Sequence, residues 1–219
     1  MPQSSKRVCW NCHLTTDTVH FCLHCHKILP TPNTVDFFSF FSLPVKLNLD
    51  GRLLTQNFYE LSRKFHPDFY QKAGEREREI STEKASLLNK AYQTLRNPWR
   101  RAEYAVSLEG FDAKKNTGAA SPELLNEMMT LQEEISGSQE QKHGASEGQA
   151  MAMRNLQDSF ENLKRRLAGL LDKLEGLFKE WDESTNRHPV AEKIVRLLHE
   201  RKYLETALKN AQKALEQAR

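Results

Sequence analysis

Two segments with helical periodicity meet at a proline, and this interruption constrains the fold of the chain more than any other feature. Before the proline, four apolar residues recur at i, i+4, i+7 and i+11 on one helix face: Leu54, Phe58, Leu61 and Phe65. Pro67 ends this helix, because the residue before a proline is disfavoured in the α region. A second helical pattern follows from about Ile80, after a loop that includes Gly74. The two helices are therefore predicted to pack as an antiparallel hairpin.

The second helix of the hairpin is predicted to stop near Asn97-Pro98. Its apolar positions are Ile80, Leu87, Leu88, Ala91, Tyr92 and Leu95. A third helix is expected from about Trp99 to Leu108, with Gly110 as its C-terminal cap.

The last hundred residues are patterned as three further helices. Ser121 can cap the first one with Pro122 at its first position, and the pattern runs to about Ile135. Gly137–Gly148 is rich in Gly, Ser, Gln and Glu and is predicted to be a mobile loop. A long helix is expected from about Gln149 to Asp182, and His188-Pro189 opens the last one. Three such helices predict an antiparallel bundle.

Specific apolar residues are predicted to form the core of this bundle. In its first helix they are Leu124, Met128, Leu131 and Ile135. In the long helix they are Leu156, Phe160, Leu163, Leu167, Leu170, Leu171 and Leu174. In the last helix they are Val190, Ile194, Leu197, Leu198, Leu204, Leu208, Ala211 and Leu215.

Composition excludes some classes of protein. With 219 residues, 38% hydrophobic and 28% charged, the chain fits one or two mainly α-helical domains. No stretch approaches the roughly 18 consecutive apolar residues that a membrane span needs. The net charge is only +3, and no segment is basic enough to predict a nucleic-acid partner. Around the cysteines only Lys6, Arg7 and Lys27 are basic, which disfavours a zinc-dependent nucleic-acid module.

All four cysteines lie in the first 25 residues, as Cys9-x-x-Cys12 and Cys22-x-x-Cys25. Two such pairs can place four thiolates tetrahedrally around one Zn²⁺. A closed site of four thiolates has no open position for a substrate, so the zinc is predicted to be structural. The alternatives are a redox dithiol or free thiols in a disordered tail.

Two further expectations concern this N-terminal module. His13, His24 and His26 could each replace one cysteine as a ligand, although four available cysteines favour a four-thiolate site. Thr31-Pro32-Asn33 follows as a short linker, and we expect it to separate the core of the module from that of the next domain.

His66-Pro67-Asp68 lies in the loop of the hairpin and is more typical of recognition than of catalysis. No Ser, Cys or second carboxylate stands at a spacing that would complete a nucleophilic set, so no enzymatic activity is predicted. Asp68 can offer its carboxylate to an arginine of a partner. Arg63 and Lys64 either steer an acidic partner surface or form an ordinary solvated helix face.

The tripeptide between two helices resembles a J-domain, the module that stimulates a DnaK-type chaperone ATPase. Further segments resemble the HscB-type J-proteins, co-chaperones of iron–sulfur cluster assembly. These are Phe37-Phe38-Ser39-Phe40-Phe41, His66-Pro67-Asp68-Phe69, Leu88-Asn89-Lys90-Ala91-Tyr92-Gln93-Thr94-Leu95, Pro98-Trp99-Arg100-Arg101-Ala102-Glu103-Tyr104, Leu124 to Ile135 and Arg201-Lys202-Tyr203-Leu204. The two cysteine pairs resemble the N-terminal zinc module of eukaryotic members.

This resemblance implies a fold, two partners and two binding sites. The implied domains are a zinc module at 1–30, a J-domain at 36–112 and a helical bundle at 121–219. His66, Pro67, Asp68, Arg63 and Lys64 would engage a DnaK-type chaperone. The bundle would hold an IscU-type iron–sulfur scaffold through Leu125, Asn126, Met129, Thr130, Glu133 and Tyr203.

Apolar side chains outside the predicted core stripe give separate support for the second site. Leu125 and Met129 form a strip about 100° round the helix from the core stripe, which indicates a binding patch unless the core face is simply wide. The resemblance also implies a mitochondrial matrix location, with the cytoplasm as the alternative, and a homodimer is left open. The competing function is a general J-protein that delivers unfolded clients, but such proteins usually carry glycine/phenylalanine-rich or β-rich client regions.

Overall fold

The protein is described by a computed structural model that covers residues 6–112, 122–139 and 147–217, without the side chains of residues 122–125, 139, 147 and 149. Within these ranges the chain is mainly α-helical, as predicted, with seven α-helices and one small two-stranded sheet. It divides into two compact units, Met1–Tyr104 and Ala105–Arg219. The predicted zinc module therefore lies in the same unit as the predicted J-domain helices.

Unit 1 begins with a small region built on turns, residues 6–30, which we call the cysteine module. Strand β1 (Arg7–Val8) pairs antiparallel with β2 (Thr15–Thr16). A single antiparallel bridge joins Phe21 to Ile28. Each pair of segments flanks one Cys-x-x-Cys turn, so both turns have the same hairpin-like construction.

The aromatic segment after the module forms a short helix, α1 (Phe37–Phe40). The Asp36 carboxylate caps it by accepting the backbone N–H groups of Phe38 and Ser39, which a helix of this length would otherwise leave unpaired. Phe38 and Phe40 are buried, and Phe37 stacks on Tyr104 with ring centroids 4.3 Å apart. Burial of these rings explains the dense aromatic sequence at this point.

The predicted hairpin is confirmed. Helix α2 (Gly51–Phe65) starts at an Asp50 cap and ends where Pro67 begins a 3₁₀ turn, Pro67–Tyr70. Helix α3 (Glu75–Arg96) packs against α2, and α4 (Pro98–Leu108) follows after an Asn97 cap. Gly110 has a φ of +85°, the left-handed conformation expected of a glycine after a helix end.

The core of the helices in unit 1 extends into the cysteine module, which also has a small buried cluster of its own, Cys9, Cys22 and Leu29. The prediction that Thr31-Pro32-Asn33 separates two cores is therefore wrong. Ile28 of the module is 1% exposed and belongs to the same cluster as Phe40, Leu54 and Phe65. Trp10 and Phe21 pack against that cluster. A module of this size buries too little apolar surface by itself to hold such side chains away from water.

Unit 2 contains three helices that pack on one another: α5 (Pro122–Gln139), α6 (Glu147–Glu183) and α7 (His188–Gln217). The predicted bundle is thereby confirmed, including the helix starts at Pro122 and His188. The predicted Gly137–Gly148 loop is too long, because α5 continues through Gly137 and Ser138 while α6 already begins at Glu147. Ser121 and residues 140–146 lie outside the described residues.

The core of unit 2 differs from the predicted stripes at several positions. Met128 is 44% exposed, because it lies roughly 60° round the helix from buried Leu131, at the edge of the inward face. Leu171 is exposed as well. In α7, buried Ala207 and Ala214 take the inward positions predicted for Leu208 and Leu215, which are only half-buried. The Leu124 side chain lies outside the described residues.

None of the helices in the described ranges carries an apolar stretch of the length and hydrophobicity that crossing a bilayer requires.

Candidate functional site

The four cysteine sulfurs lie within 4.8 Å of one another. Two of the sulfur–sulfur separations, between Cys9 and Cys25 and between Cys12 and Cys22, are 3.7 Å. Four sulfurs held tetrahedrally about 2.3 Å from one ion would be about 3.8 Å apart. Both distances join one Cys-x-x-Cys turn to the other, as expected when two turns share one ion. The cluster therefore fits a shared metal ion.

Both cysteine turns are built in the same way. The backbone N–H of Asn11 donates to the Cys9 sulfur and that of His24 donates to the Cys22 sulfur, each at 3.4 Å. His13 and His26 follow the second cysteine of each pair with φ of 59° and 57°. This left-handed residue turns the chain back, so that its N–H reaches the first cysteine's carbonyl oxygen. The histidines thus shape the turns and lie outside the cluster of four sulfurs.

At two of the four cysteines the surrounding backbone favours the thiolate, the form in which cysteine binds a metal. At Cys12 a backbone hydrogen bond from Leu14 acts in the same direction, but burial and the neighbouring thiols outweigh it and raise the pKa to about 12. The N–H of Lys27 bonds to the Cys25 sulfur, and this bond is the main reason why the pKa of Cys25 is lowered to about 6. The pKa of Cys22 is also lowered, chiefly by the backbone N–H of Cys25.

A second candidate site is the loop between α2 and α3, residues 66–74, which we call the His-Pro-Asp loop. His66 accepts the Asp68 backbone N–H at its Nδ1, at 3.3 Å, and so caps the 3₁₀ turn. The Tyr70 hydroxyl donates to the Lys64 carbonyl oxygen at 2.9 Å. The Asp68 side chain is 71% exposed and Phe69 is 74% exposed. The loop is thus ordered by local bonds while its carboxylate faces solvent, ready for an external donor.

The two basic residues before the loop are not equivalent. Both are exposed, but the Lys64 ammonium lies 2.6 Å from the Glu60 carboxylate one turn earlier. The hydrogen bond from Lys64 lowers the pKa of Glu60 and keeps it ionised. This pair weakens the positive field of Lys64, so Arg63 is the stronger candidate for steering an acidic surface.

The third candidate site is a cleft of about 460 Å³ in unit 2, which we call the bundle cleft. It is lined by residues of all three helices: Asn126, Glu127, Thr130, Leu131, Ser159, Asn162, Leu163, Arg166 and Tyr203. Three of the six residues expected to bind a scaffold, Asn126, Thr130 and Tyr203, therefore meet at one place. Met129 and Glu133 are exposed on α5, and the Leu125 side chain lies outside the described residues.

A charge pair crosses the bundle cleft and was not anticipated from the sequence. The Arg166 guanidinium donates to both carboxylate oxygens of Glu127, at 2.5 and 2.6 Å, and lies 3.5 Å from Glu200. Tyr203 is half-buried beside this pair, and burial followed by the Glu127 charge raises its phenol pKa. Glu127 and Arg166 are 39 positions apart, so no local sequence pattern signals their contact.

Comparisons with known proteins identify the domain that contains the His-Pro-Asp loop and the family of the chain. A family model described as the DnaJ domain matches residues 39–105, which include the His-Pro-Asp loop. The Co-chaperone protein HscB homolog of Vibrio vulnificus strain YJ016 is 34% identical over 175 residues, covering 80% of this chain and 99% of the bacterial protein. The chain belongs to the HscB family of co-chaperones. A homolog from Vibrio cholerae O395 is 43% identical over 103 residues, or 46% of this chain and 60% of that protein.

Solved structures agree with the fold of this HscB protein. The crystal structure of human co-chaperone protein HscB matches with a TM-score of 0.66 and 21% identity, covering 94% of this chain and 98% of that one. The chaperone HscB from Vibrio cholerae matches with a TM-score of 0.55 and 27% identity, covering 84% and 99%. All of these relatives are named chaperones or co-chaperones, and none is named as an enzyme. The protein is therefore a J-domain co-chaperone.

Proposed function

We propose that this HscB protein works in iron–sulfur cluster assembly, where it binds an IscU-type scaffold through unit 2 and stimulates the ATPase of a DnaK-type chaperone through unit 1. Family membership over most of the chain, together with an ordered and exposed His-Pro-Asp loop, carries this proposal. It acts as an adaptor: one surface recognises the scaffold and the other recognises the chaperone.

The chemistry of the loop supports the chaperone role. Pro67 fixes the backbone at the end of α2, and the His66 cap holds the Asp68 backbone in a 3₁₀ turn. The Asp68 carboxylate then presents two oxygens to a planar guanidinium, which can bind them with two parallel hydrogen bonds. Little loop ordering remains to be done on binding, so the entropic cost of association is reduced.

The bundle cleft and the methionines beside it support the scaffold role. Met128 and Met129 are 44% and 64% exposed on α5, next to the polar cleft that contains Tyr203. Exposed apolar side chains around a recess that holds an aromatic ring are typical of a protein-binding surface. The scaffold would contact Leu125, Asn126, Met129, Thr130, Glu133 and Tyr203.

The cysteine cluster is assigned to a structural Zn²⁺ held by Cys9, Cys12, Cys22 and Cys25. Four thiolates without an open position are typical of structural zinc and supply folding energy, not chemistry. On the resemblance of this module to that of eukaryotic members, we propose that the chain is a zinc-bearing member of this type. We also propose a mitochondrial matrix location, which immunofluorescence of the endogenous protein tests.

A reconstituted assay tests the proposed function. Purified protein, DnaK-type chaperone and IscU-type scaffold are mixed, and ATP turnover is measured with the unchanged chain and with His66→Gln or Asp68→Asn. Both variants are expected to abolish stimulation while keeping the circular dichroism of the unchanged protein. A variant that keeps its fold and still stimulates would refute the chaperone role.

A pull-down from cell extract tests the second partner. Recovery of an iron–sulfur scaffold would support the adaptor role, whereas a spread of unrelated unfolded clients would favour a general J-protein. The variant Met129→Ala gives the matched control, since it should lose the scaffold and still recover the chaperone.

A further inference from the structure

The residue that precedes the His-Pro-Asp loop is packed against the cysteine module. Phe65, the last residue of α2, is 0% exposed. Its ring centroid lies 5.0 Å from that of His20 and 5.9 Å from that of Phe21. Both partners belong to the segment that leads into Cys22. The N-terminal end of the loop is thus held by the second cysteine turn and its flank.

The other end of the loop is held by the same module. The loop leads into the first turn of α3, where the Arg76 guanidinium lies over the Trp10 ring, 4.8 Å from its centroid. Glu77 is 7% exposed and accepts a hydrogen bond from Lys27 at 2.8 Å. Trp10 stands between Cys9 and Cys12, and Lys27 lies two residues after Cys25. One contact therefore comes from each cysteine turn.

Lys84 adds a third set of contacts between α3 and the N-terminal segment. Its side chain is buried, with 1% exposed, and its ammonium donates to three acceptors of the N-terminal segment: the Val19 carbonyl oxygen at 3.3 Å, His20 Nδ1 at 3.2 Å and the Thr31 hydroxyl at 3.0 Å. The ammonium also lies 5.2 Å from the centroid of the Phe65 ring. His20 can accept at Nδ1 because its Nε2 donates to the Phe40 carbonyl oxygen at 2.9 Å.

From this arrangement we infer that the cysteine module positions the His-Pro-Asp loop by holding both of its ends, with Lys84 as the positioning residue at the centre. The inference rests on the proposed function, in which a DnaK-type chaperone recognises this loop. The side-chain bonds within the loop are local, from His66, Tyr70 and Gln71, and within the loop only the half-buried Tyr70 packs against the core of unit 1. The two anchored ends supply the remaining contacts that fix the place of the loop on the protein.

The physical basis is the local opening of a loop. An exposed segment with few buried contacts opens with a low free energy unless the residues that flank it are immobilised. Phe65 and Glu77 are the buried residues nearest to the loop on either side, and each contacts the cysteine module. Loosening the module frees both ends together, so the loop spends less time in the geometry that a partner binds.

Hydrogen exchange of the full-length metal-loaded protein tests the inference. Lys84→Met removes the three hydrogen bonds and keeps an unbranched side chain of similar length. Lys90→Met is the matched control, since Lys90 is an exposed lysine of the same helix. We expect backbone amides of residues 68–71 to exchange about tenfold faster or more in Lys84→Met, because three hydrogen bonds in a buried site are lost. Amides of α7 should keep their rates in both variants, which separates a local effect from general destabilisation.

Removing the metal from the unchanged chain with a chelator gives the second measurement. The amides of residues 68–71 should again exchange faster. In the metal-loaded Lys90→Met protein they should exchange at the rate of the unchanged chain. The inference is overturned if residues 68–71 exchange at their original rate after metal removal, or if Lys84→Met folds, keeps its metal and protects them fully. If Lys84→Met fails to fold, the same exchange measurement is made on Lys27→Gln. This variant removes the ion pair between the cysteine module and Glu77 of α3.

Chaperone assays separate this inference from the proposed function. Lys84→Met should raise the concentration needed for half-maximal ATPase stimulation about tenfold and leave the maximal rate unchanged, because the bound loop has the same chemical groups. If His66→Gln still stimulates, the proposed function fails, and hydrogen exchange still decides whether the module positions the loop. If the exchange rates do not respond to metal or to Lys84→Met, the inference fails even when His66→Gln abolishes stimulation.

Discussion

Three polar residues of α3 face the interior of unit 1 and are buried there: Glu77, Ser81 and Lys84. They recur at i, i+4 and i+7, which places them on one face of the helix. Each has a partner in the remainder of unit 1, through an ion pair with Lys27, a hydrogen bond to Phe65 and the three acceptors of Lys84. The buried apolar residues Leu88, Ala91 and Leu95 continue the same face further along the helix, so the inward face of α3 is polar mainly in its N-terminal half and apolar in its C-terminal half.

Ser81→Ala is expected to destabilise unit 1 by about 1–3 kcal/mol, because the Ser81 hydroxyl donates to the Phe65 carbonyl oxygen at 2.7 Å in a buried site. The alanine would leave that carbonyl oxygen without its partner. Thr82→Ala is the control, since the Thr82 hydroxyl is exposed and bonds only to its own helix. Urea unfolding followed by tryptophan fluorescence measures both variants, and equal midpoints would contradict the prediction.

Lys84 is expected to make the stability of unit 1 depend on pH above neutrality. Burial, followed by the charge of Arg7, lowers the pKa of Lys84 to about 7, from an ordinary value of 10.5. Between these two pH values the unfolded chain binds a proton that the folded chain lacks, so the free energy of unfolding rises with pH. Lys84→Met should remove this rise, and unfolding curves recorded from pH 7 to pH 10 measure the difference between the two proteins.

At the scale of the elements, the cysteine module is an integral part of the helical hairpin. Its strands β1 and β2 are two residues each, too short to be stable without other support. That support comes from two sources. One is the ion that the four cysteines fit, and the other is the packing of Ile28, Phe21 and Trp10 in the core of the helices. Conversely, those three side chains cover part of the core of α2 and α3.

Chelation of the metal is therefore expected to act beyond residues 6–30. The cysteine turns should lose their structure, and the melting temperature of the hairpin should fall by several degrees because buried apolar area becomes exposed. The helices of unit 2 should keep most of their far-ultraviolet circular dichroism signal. Thermal scans with and without chelator measure both effects, with metal content determined by elemental analysis. An unchanged melting profile after complete metal removal would show that the module contributes no support.

At the scale of the whole molecule, the candidate sites are divided between two compact units. The cysteine cluster and the His-Pro-Asp loop lie in unit 1, and the bundle cleft lies in unit 2. Because the sites lie in different units, a substitution in one unit is predicted to abolish binding of one partner and leave binding of the other unchanged.

The triple variant Leu125→Ala, Met129→Ala, Tyr203→Ala is expected to separate the two roles. Scaffold binding should weaken strongly, since truncating buried interface anchors costs about 1–4 kcal/mol each, without strict additivity. Stimulation of the chaperone in the absence of scaffold should persist, while the additional stimulation caused by scaffold disappears. Titration calorimetry measures binding, with Met151→Ala, another exposed methionine of unit 2, as the control. Normal scaffold binding would show that the patch is misplaced, and a collapsed melting temperature would show that these residues belong to the core.

Local patterns in the sequence determined most elements of this protein. Helical periodicity located α2, α3, α6 and α7, and Pro67 located the turn between the first two, because both signals depend only on neighbouring residues. The spacing of the cysteine pairs likewise indicated a single cluster. Periodicity failed at Met128 and at Ala207, where the width of the buried face depends on how closely the neighbouring helices approach.

The tertiary structure alone decided which side chains of distant segments contact one another. Lys84 meets Val19 and His20 across more than sixty positions, and Arg166 meets Glu127 across 39. Lys84 stands four and seven positions before buried Leu88 and Ala91, so helical periodicity places it on the inward face, but the pattern does not show which residues cover that face. The packing of the cysteine module against the core of the hairpin could not be predicted for the same reason. Burial depends on contacts that form only when the chain folds.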